Sequence, residues 1–258
     1  MNKAEIQALA NELFNAERTR KAIPPLTERA DVTIDDAYAI QLENIRRVAE
    51  MGHVVSGKKI GLTSPGIQQQ LGVNEPDYGH LFEAMNCADG RVKTDELLQP
   101  KIEAELAFVL KADLSGGQVT AAEVRAATDY VQAAFEIVDS RVANWRIKLQ
   151  DTVADNASSG RYVLGNKKLP VDAVDLPAVR MELYKNRVLE ASGNGSAVLG
   201  DPCAAVAWLA NRLWSYGVTL KKGEVILSGA FSAAPPAVKG DVFEAEFSSF
   251  GSIKAVFE

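Results

Sequence analysis

The stretch Lys101-Ile-Glu-Ala-Glu-Leu-Ala-Phe-Val-Leu110 predicts a buried β-strand, because it is short, rich in apolar residues and preceded by Pro100. Alternation along a strand places Glu103 and Glu105 on the same face, and both faces become apolar beyond them. Two carboxylates side by side in such a setting repel each other and lose hydration. The stretch therefore predicts a partner that neutralises them, and a divalent cation with oxygen ligands would do so.

A solvated strand end is the alternative explanation, since acidic alternation is common on sheet faces that contact water. A third carboxylate favours the metal hypothesis. Glu136 stands among small and aliphatic residues in a second apolar run, Val131-Gln-Ala-Ala-Phe-Glu-Ile-Val138. Three inward carboxylates with no histidine nearby suit Mg²⁺ or Mn²⁺ better than zinc.

Composition excludes several classes of protein. The chain has 258 residues, which permits one large domain or two small ones, and 47% of them are hydrophobic, as in a soluble globular protein. A net charge of -6 without a basic block argues against a nucleic-acid partner. Cys87 and Cys203 form no CxxC motif, which fits a reducing cytoplasm. We expect no membrane span and no secretory signal, since no apolar run is long enough and the first residues are charged and amphipathic.

Two amphipathic stripes near the start of the chain predict helices, one from Asn2 to about Lys21 and one from Thr33 to near Gly52. No residue type in this part indicates chemistry. We therefore predict an N-terminal helical cap over residues 1–53 and a catalytic domain over residues 54–258.

The segment from Val54 to Ile60 contains the lysine pair Lys58 and Lys59 between glycines. A solvated turn would explain the pair, but strand alternation would send one lysine to solvent and the other inward. Asp77 follows in a stretch whose composition is typical of a turn. It is either an ordinary turn aspartate or an acid placed on a loop over a site. The residues alone leave these alternatives open.

Small and polar residues gather in two later segments, as they do where backbone approaches a ligand. One is 151–160, for which a plain loop is the alternative. The other is the end of the strand predicted from Val225 to Gly229, where backbone N–H groups could meet a substrate carboxylate. Arg141 closes the strand of Glu136, and it either pairs with Asp139 or faces an anionic ligand. The candidate substrate-binding residues are Leu62, Arg141, Asp155, Asn156, Ser158, Ser228 and Gly229.

Six stretches occur in one order along the chain: Lys58-Lys-Ile-Gly-Leu-Thr-Ser64, Gln68-Gln-Gln-Leu-Gly-Val73, Glu75-Pro-Asp-Tyr-Gly79, Pro100-Lys-Ile-Glu-Ala-Glu-Leu-Ala-Phe-Val109, Phe135-Glu-Ile-Val-Asp-Ser-Arg141 and Asp151-Thr-Val-Ala-Asp-Asn-Ala-Ser158. In this order they resemble the 2-keto-4-pentenoate hydratases of aromatic meta-cleavage pathways, within the fumarylacetoacetate hydrolase superfamily. The resemblance runs from about Ala37 to the C-terminus. It implies an α+β fold, with a mixed β-roll or barrel-like core of the fumarylacetoacetase C-terminal type, flanking helices and the N-terminal helical cap.

The resemblance also implies roles for individual residues. It implies that Glu103, Glu105 and Glu136 hold Mg²⁺ or Mn²⁺, that Lys59 faces the site, and that Asp77 is an acid/base residue. Related decarboxylases have an apolar residue where Asp77 stands, which favours hydration. The chain departs from the pattern at residue 201, an aspartate where relatives often carry histidine, and the following proline marks it as a helix cap. We expect Trp208 and Trp214 of that helix in the core.

The function implied is that of a hydro-lyase, which adds water to 2-hydroxypenta-2,4-dienoate or a short alkyl homologue to give 4-hydroxy-2-oxopentanoate. A 4-oxalocrotonate decarboxylase or a 2-oxohept-4-ene-1,7-dioate hydratase is the alternative. The distal carboxylate of such a diacid would need a cation from Arg141, Arg146 or Arg161. A non-catalytic partner subunit is a third hypothesis, which the intact set of site residues argues against. The family implies a homo-oligomer and association with neighbouring pathway enzymes.

Overall fold

The computed structural model describes the chain from Met1 to Glu258 except the side chains of Ile67, Gln70 and Leu71, so part of the Gln68–Val73 motif lies outside the described residues. The helices are α1 (Lys3–Thr19), α2 (Ile34–Glu50), α3 (Pro65–Leu71), α4 (Ala121–Ala127), α5 (Leu149–Ala154) and α6 (Pro202–Trp214). The strands are β1 (Val55–Gly61), β2 (Asp77–Phe82), β3 (Arg91–Val92), β4 (Lys101–Leu110), β5 (Thr128–Val138), β6 (Ser159–Leu164), β7 (Arg180–Lys185), β8 (Val188–Asn194), β9 (Val225–Leu227), β10 (Val242–Phe247) and β11 (Gly251–Phe257).

The strands of the described chain form two sheets. The order of the larger is β2-β1-β9-β4-β5-β6, and that of the smaller is β3-β11-β10-β7-β8. The larger sheet is mixed, because β1 runs parallel to β9 whereas β4 is antiparallel to both of its neighbours. It curls into a half-barrel, with helices at the N-terminus of the chain. The predicted α+β class with a mixed, barrel-like core is confirmed.

The register of β4 and β5 decides which side chains meet. Glu103 lies opposite Glu136, and Glu105 lies opposite Ala134. Directly opposite residues of an antiparallel pair point to the same face, so the three glutamates share one face of the sheet. An apolar layer adjoins them on that face; it consists of Leu81, Ala107, Ala134, Tyr162 and Leu227. The opposite face packs into the main core with the helices and the second sheet.

The N-terminal helices are attached to the larger sheet through buried polar contacts. Thr33 caps α2 with a capping box, as predicted. From α2, the amide of Gln41 donates hydrogen bonds to Tyr78 O (3.1 Å) and Val153 O (2.8 Å). These contacts connect the helices to β2 and α5. The division into a cap over residues 1–53 and a domain over residues 54–258 stays a prediction.

Two expectations about local structure were wrong. Asp77 is the first residue of strand β2 and not part of a turn, because β2 pairs with β1 from this residue onward. Trp214 ends α6 with half of its surface exposed (50%), because Leu209 and Leu213 fill the core side of the helix. Asp201 does cap α6, since its Oδ1 accepts a hydrogen bond from Cys203 N.

The helices of the described part of the chain can be compared with the dimensions of a lipid bilayer. None there combines the length and the hydropathy that a membrane span requires.

Candidate active site

The three glutamates predicted as metal ligands converge. One carboxylate oxygen from each of Glu103, Glu105 and Glu136 lies within 4.8 Å of the other two. Glu105 and Glu136 are completely buried and Glu103 is partly exposed. A solvated strand end is therefore excluded for Glu105 and Glu136. The partial exposure of Glu103 also shows that solvent reaches the cluster from the side of this residue.

Two of the buried oxygens of this cluster lack protein donors. Glu105 Oε2 accepts a hydrogen bond from Gly229 N at 2.8 Å. Among the described residues, Glu105 Oε1 and Glu136 Oε2 have no hydrogen-bond partner, and Glu136 Oε1 has no donor near it beyond the ammonium of Lys59 at 3.1 Å. An unsatisfied buried acceptor costs about 1–3 kcal/mol, and more when it is charged. These oxygens fit a hard divalent cation, which prefers carboxylate ligands and would satisfy all three residues at once.

The pKa values of the three carboxyl groups also indicate that the cluster lacks positive charge. Burial raises the pKa of Glu103 and Glu105, and the neighbouring carboxylates add to the shift of Glu105. Burial also raises the pKa of Glu136 to about 8, although Lys59 opposes the shift. The cluster as it stands holds too little positive charge to keep all three groups ionised.

Lys59 is the cation that the protein itself supplies to this cluster. Its Nζ lies 3.1 Å from Glu136 Oε1, and both side chains are buried. Burial opposes the charged ammonium, but the carboxylates of Glu136 and Asp77, together with the other glutamates, outweigh it and raise the pKa of Lys59. Lys59 points to the same face of the sheet as Leu227 and Ala107, its neighbours across β9 and β4. The apolar layer therefore lies beside its aliphatic stem while the charged end reaches the glutamates.

The other member of the lysine pair does not reach solvent, so that expectation was wrong. Lys58 is only 4% exposed and its Nζ forms an ion pair with Glu224 Oε1 at 2.9 Å. It lies opposite His80 on β2. The face of β1 that carries Lys58 packs against the main core, which includes Ile60 and α6, so alternation directs the side chain into protein and not into water.

Asp77 lies on the edge strand next to Lys59. Its cross-strand neighbour is Gly61, and a Cβ at that glycine would lie only 2.2 Å from Asp77 Oδ1. The carboxylate therefore occupies the space that a side chain at residue 61 would fill. Within the described residues, Asp77 Oδ1 has no hydrogen-bond partner, and burial raises the pKa of this carboxyl group against the opposing charge of Lys59. The sequence analysis assigned no role to Gly61. The signal that could have indicated one is the presence of a glycine shortly after the lysine pair.

Four of the predicted substrate-binding residues form hydrogen bonds with the protein beside β2. The main-chain N–H of Arg141 donates to Asp155 Oδ2 at 2.8 Å, and its guanidinium donates to Asp155 and to Ser159 O. Asn156 holds the backbone of β2, because it accepts a hydrogen bond from His80 N (2.7 Å) and donates one to His80 O (2.9 Å). Ser158 shares a hydrogen bond with Thr152.

The backbone of this segment is unusual. The φ angles of Asn156, Ala157 and Ser158 are 55°, 49° and 55°, a left-handed turn that residues other than glycine rarely adopt. The turn presses Asn156 O against β2, where a Cβ at Gly79 would lie 2.3 Å away. Strain of this kind persists only where the surrounding contacts hold it. The segment thereby fixes the position of the strand that carries Asp77.

The other predicted substrate-binding residues follow β1 and β9. Leu62 has a positive φ of 57°, and its carbonyl accepts a hydrogen bond from Gln68 Nε2. The backbone N–H groups of Ser228 and Gly229 already donate to Leu106 O and to Glu105. The Ser228 hydroxyl is buried and, among the described residues, has no partner. This hydroxyl, not the two N–H groups, is thus available to a ligand.

Comparison with curated proteins gives relatives along the whole chain. A "2-hydroxyhexa-2,4-dienoate hydratase" from Comamonas testosteroni is 44% identical over 99% of this chain and 98% of its own length. A "2-keto-4-pentenoate hydratase" from Paraburkholderia xenovorans is 46% identical over 100% of this chain and 97% of its own length. A "2-hydroxypent-2,4-dienoate hydratase" from Pseudomonas putida is 46% identical over 84% of this chain.

The fold and a family model agree with these relatives. The structure of a 4-oxalocrotonate decarboxylase from Pseudomonas putida G7, complexed with magnesium and adipate, superposes with a TM-score of 0.97 at 37% identity and covers 100% of this chain and 99% of that one. The model of the fumarylacetoacetate (FAA) hydrolase C-terminal family matches residues 81–258. The chain therefore belongs to the fumarylacetoacetate hydrolase family, in the branch that contains the 2-keto-4-pentenoate hydratases.

Proposed function

We propose that this protein is a hydro-lyase of meta-cleavage aromatic catabolism that adds water to 2-hydroxypenta-2,4-dienoate or a short alkyl homologue, giving 4-hydroxy-2-oxopentanoate or its homologue. The observation that carries the proposal is the cluster of three carboxylates, two of them buried with unsatisfied oxygens, placed beside Lys59 and Asp77. Relatives that are 41–46% identical and named as hydratases support the reaction class.

The trio would hold one divalent cation. Three carboxylates without a histidine suit Mg²⁺ or Mn²⁺, and the magnesium complex of the related decarboxylase supports a cation of this kind. When bound, the cation supplies a Lewis acid that stabilises negative charge on the C2 oxygen of a 2-oxo acid. The chain contributes the positions of Glu103, Glu105 and Glu136, and Gly229 N–H orients Glu105 through its hydrogen bond.

Asp77 and Lys59 would carry the proton transfers and the charge. Asp77 delivers a proton to C5 of the dienoate while the C2 hydroxyl group gives up its own proton, which gives the conjugated 2-oxo-3-enoate and leaves Asp77 as a carboxylate. Water then adds at C4 and gives one proton to Asp77, and Asp77 passes that proton to C3. Burial raises the pKa of Asp77, which favours the protonated form that a proton donor needs. Lys59 stays protonated and holds the negative charge that develops on the substrate.

The remaining site residues would act by contact or by position. Leu62 and the Ser228 hydroxyl would contact the substrate. Leu62 directly follows β1, the strand that carries Lys59, and Ser228 lies between β9 and Gly229. Asn156 would position β2 through its hydrogen bonds to the His80 backbone, and Arg141, Asp155 and Ser158 would hold the segment that carries Asn156.

A substrate with a second carboxylate is less well supported. The three arginines considered for a distal carboxylate each have a protein partner: Arg141 pairs with Asp155, Arg146 with Glu28 and Arg161 with Glu96. A monoacid leaves these pairs intact. A diacid hydratase or a 4-oxalocrotonate decarboxylase that used one of these arginines would have to break its pair.

The test is an assay of the purified protein with Mg²⁺ or Mn²⁺, using the monoacid dienoate and the corresponding diacid. We expect loss of the dienoate with formation of the 4-hydroxy-2-oxo acid, faster turnover of the monoacid and no release of CO₂. Turnover should fall about 10²–10⁴-fold in Asp77→Asn, whereas Glu105→Gln should weaken metal binding. CO₂ release from the diacid, or no hydration at all, would refute the proposal.

The proposal includes a homo-oligomer, which light scattering of the purified protein tests. It also includes association with neighbouring pathway enzymes, which co-purification of those enzymes with the tagged protein tests. Cys87 and Cys203 are free thiols, which suits a reducing compartment such as the cytoplasm. Fractionation of cells that express the protein tests this location.

A further inference from the structure

Lys101 is a cation at the exposed side of the acidic cluster that the mechanism above does not use. It is the first residue of β4, and alternation places it on the same face as Glu103 and Glu105. Its side chain is half-buried and interacts electrostatically with Glu103, the partly exposed member of the trio. Lys101 therefore stands where solvent, and with it a substrate, reaches the glutamates.

The ammonium of Lys101 forms no direct ion pair with a carboxylate of the described residues. Within the described part of the chain, no carboxylate oxygen lies within 4.0 Å of its Nζ, whereas Lys58 and Lys59 each have one. The ammonium instead lies 4.2 Å from the centre of the Trp145 ring. A contact of this kind holds a cation in place but leaves its hydrogen-bonding directions open to a ligand.

Trp145 is itself fixed in position. Its indole Nε1 donates a hydrogen bond to Gln99 O at 3.0 Å. Its φ angle is 53°, which is costly for a bulky residue and persists only where the surroundings impose it. The ring is thus a rigid support that keeps the Lys101 ammonium at the entrance.

The balance of charge requires another cation when an anion binds. Glu103, Glu105, Glu136 and Asp77 place four carboxylates in the site, and Lys59 supplies one compensating charge. With a divalent cation bound and Asp77 protonated, the charges of the site cancel, so an anionic substrate makes it negative again. Lys101 is placed to offset this repulsion.

The positions of Lys101 and Asp77 indicate which end of the substrate each one meets. Asp77 is displaced from the glutamates across the sheet, on β2, whereas Lys101 is displaced along β4 itself. Because Asp77 must face the reacting carbons C3 to C5, the opposite end of the molecule is left for Lys101. We propose that Lys101, supported by Trp145, binds the C1 carboxylate of the 2-oxo acid at the entrance; this rests on the proposed function.

Calorimetry with the Mn²⁺-loaded protein tests this without turnover. The probes are 2-oxopentanoate and 2-oxoglutarate, which share five carbons and the 2-oxo acid end but differ in the distal carboxylate. The variant is Lys101→Met, which removes the charge and keeps most of the stem against Trp145. Lys111→Met is the matched control, since Lys111 is exposed just beyond the other end of β4.

In Lys101→Met we expect both probes to bind about tenfold or more weakly, as for loss of a charged hydrogen bond. Lys101→Arg should restore part of the affinity, and the control should bind like wild type. In the hydration assay KM should rise by a similar factor while kcat changes less than about threefold, as for an interaction equal in ground and transition states.

Two results would overturn the assignment. If Lys101→Met weakens only 2-oxoglutarate, the lysine serves a distal carboxylate. If it weakens Mn²⁺ itself, the lysine maintains the cluster and not the ligand. Since probe binding does not depend on hydration, a protein that binds both probes through Lys101 but hydrates no dienoate would contradict the proposed function alone. Should Lys101→Met fail to fold, Lys101→Gln and Trp145→Leu provide the same comparison.

Discussion

Lys59 Nζ lies 3.1 Å from Glu136 Oε1, so the protein's own cation forms an ion pair with one of the carboxylates that would bind a metal. Both side chains are buried, and each depends on the other for its charge. The ammonium and a bound metal would therefore share Glu136 as a ligand. A substitution of Lys59 can therefore show whether this lysine affects metal affinity, turnover or both.

Replacement of Lys59 by methionine should lower turnover without weakening the metal. Removal of the ammonium frees Glu136, so Mn²⁺ should bind as tightly as in wild type or more tightly. Turnover should fall about 10²-fold or more, because a donor aimed at developing charge is lost. Titration with Mn²⁺ monitored by electron paramagnetic resonance, alongside the hydration assay, measures both. A clear loss of Mn²⁺ affinity would show that Lys59 maintains the cluster instead.

Replacement of Gly61 by alanine should displace the Asp77 carboxylate, since the new Cβ would lie 2.2 Å from Oδ1. We expect turnover to fall at least about tenfold, given that correct placement of an acid/base group contributes about 10²–10⁴-fold. Mn²⁺ affinity should change little. Gly66→Ala is the control, because a Cβ there meets no atom within 4 Å among the described residues. Equal activity of the two variants would argue against the role given to Asp77.

Replacement of Lys58 by methionine should affect stability and not chemistry. The change leaves Glu224 without its buried partner and should cost about 3–5 kcal/mol of unfolding free energy. Urea denaturation measures this cost. The double variant Lys58→Met with Glu224→Met should recover part of it, since replacing both charges removes the unpaired one. The folded fraction of Lys58→Met should keep its turnover; a loss comparable to that of Lys59→Met would be inconsistent with a purely structural lysine.

Acid should destabilise the protein partly through His80. Burial, with a smaller effect of Lys58, lowers the pKa of His80 to about 3, and its Nδ1 lies 3.1 Å from Gln41 Oε1. In the unfolded chain, His80 binds a proton near pH 6.5. The contribution of the neutral, buried His80 to the free energy of unfolding is therefore complete above that pH and is lost as pH falls toward 3.

The slope from this one proton approaches about 1.4 kcal/mol per pH unit. Unfolding free energies from urea denaturation between pH 4.5 and 6 should therefore depend less on pH in His80→Gln than in wild type. His53→Gln, at an exposed position, is the control and should keep the wild-type slope. Parallel curves for wild type and His80→Gln would rule out this histidine as a source of acid sensitivity.

The metal-ligand candidates could be predicted from sequence because alternation in a strand follows from local geometry. Glu103 and Glu105 share a face whatever the rest of the chain does. That Glu136 lies directly opposite Glu103 is a matter of strand register, which depends on tertiary packing. The sequence indicated that Glu136 was buried, and the fold supplied the partner.

The lysine pair shows where such reasoning ends. Alternation correctly separates Lys58 from Lys59, but it does not tell whether the second face is covered. In the structure core packing covers it, and Glu224, far away in sequence, supplies the counter-charge. The turn predicted at Asp77 is wrong because a local pattern does not show long-range pairing. The residues around Asp77 favour a turn, but pairing with Gly61 extends strand β2 to include it.

The left-handed turn next to β2 has a practical consequence for engineering. Because Asn156 O lies 2.3 Å from where a Cβ at residue 79 would stand, saturation mutagenesis there should return glycine among the surviving clones. Directed evolution toward bulkier dienoates would do better to diversify Leu62 and to leave Gly79 unaltered.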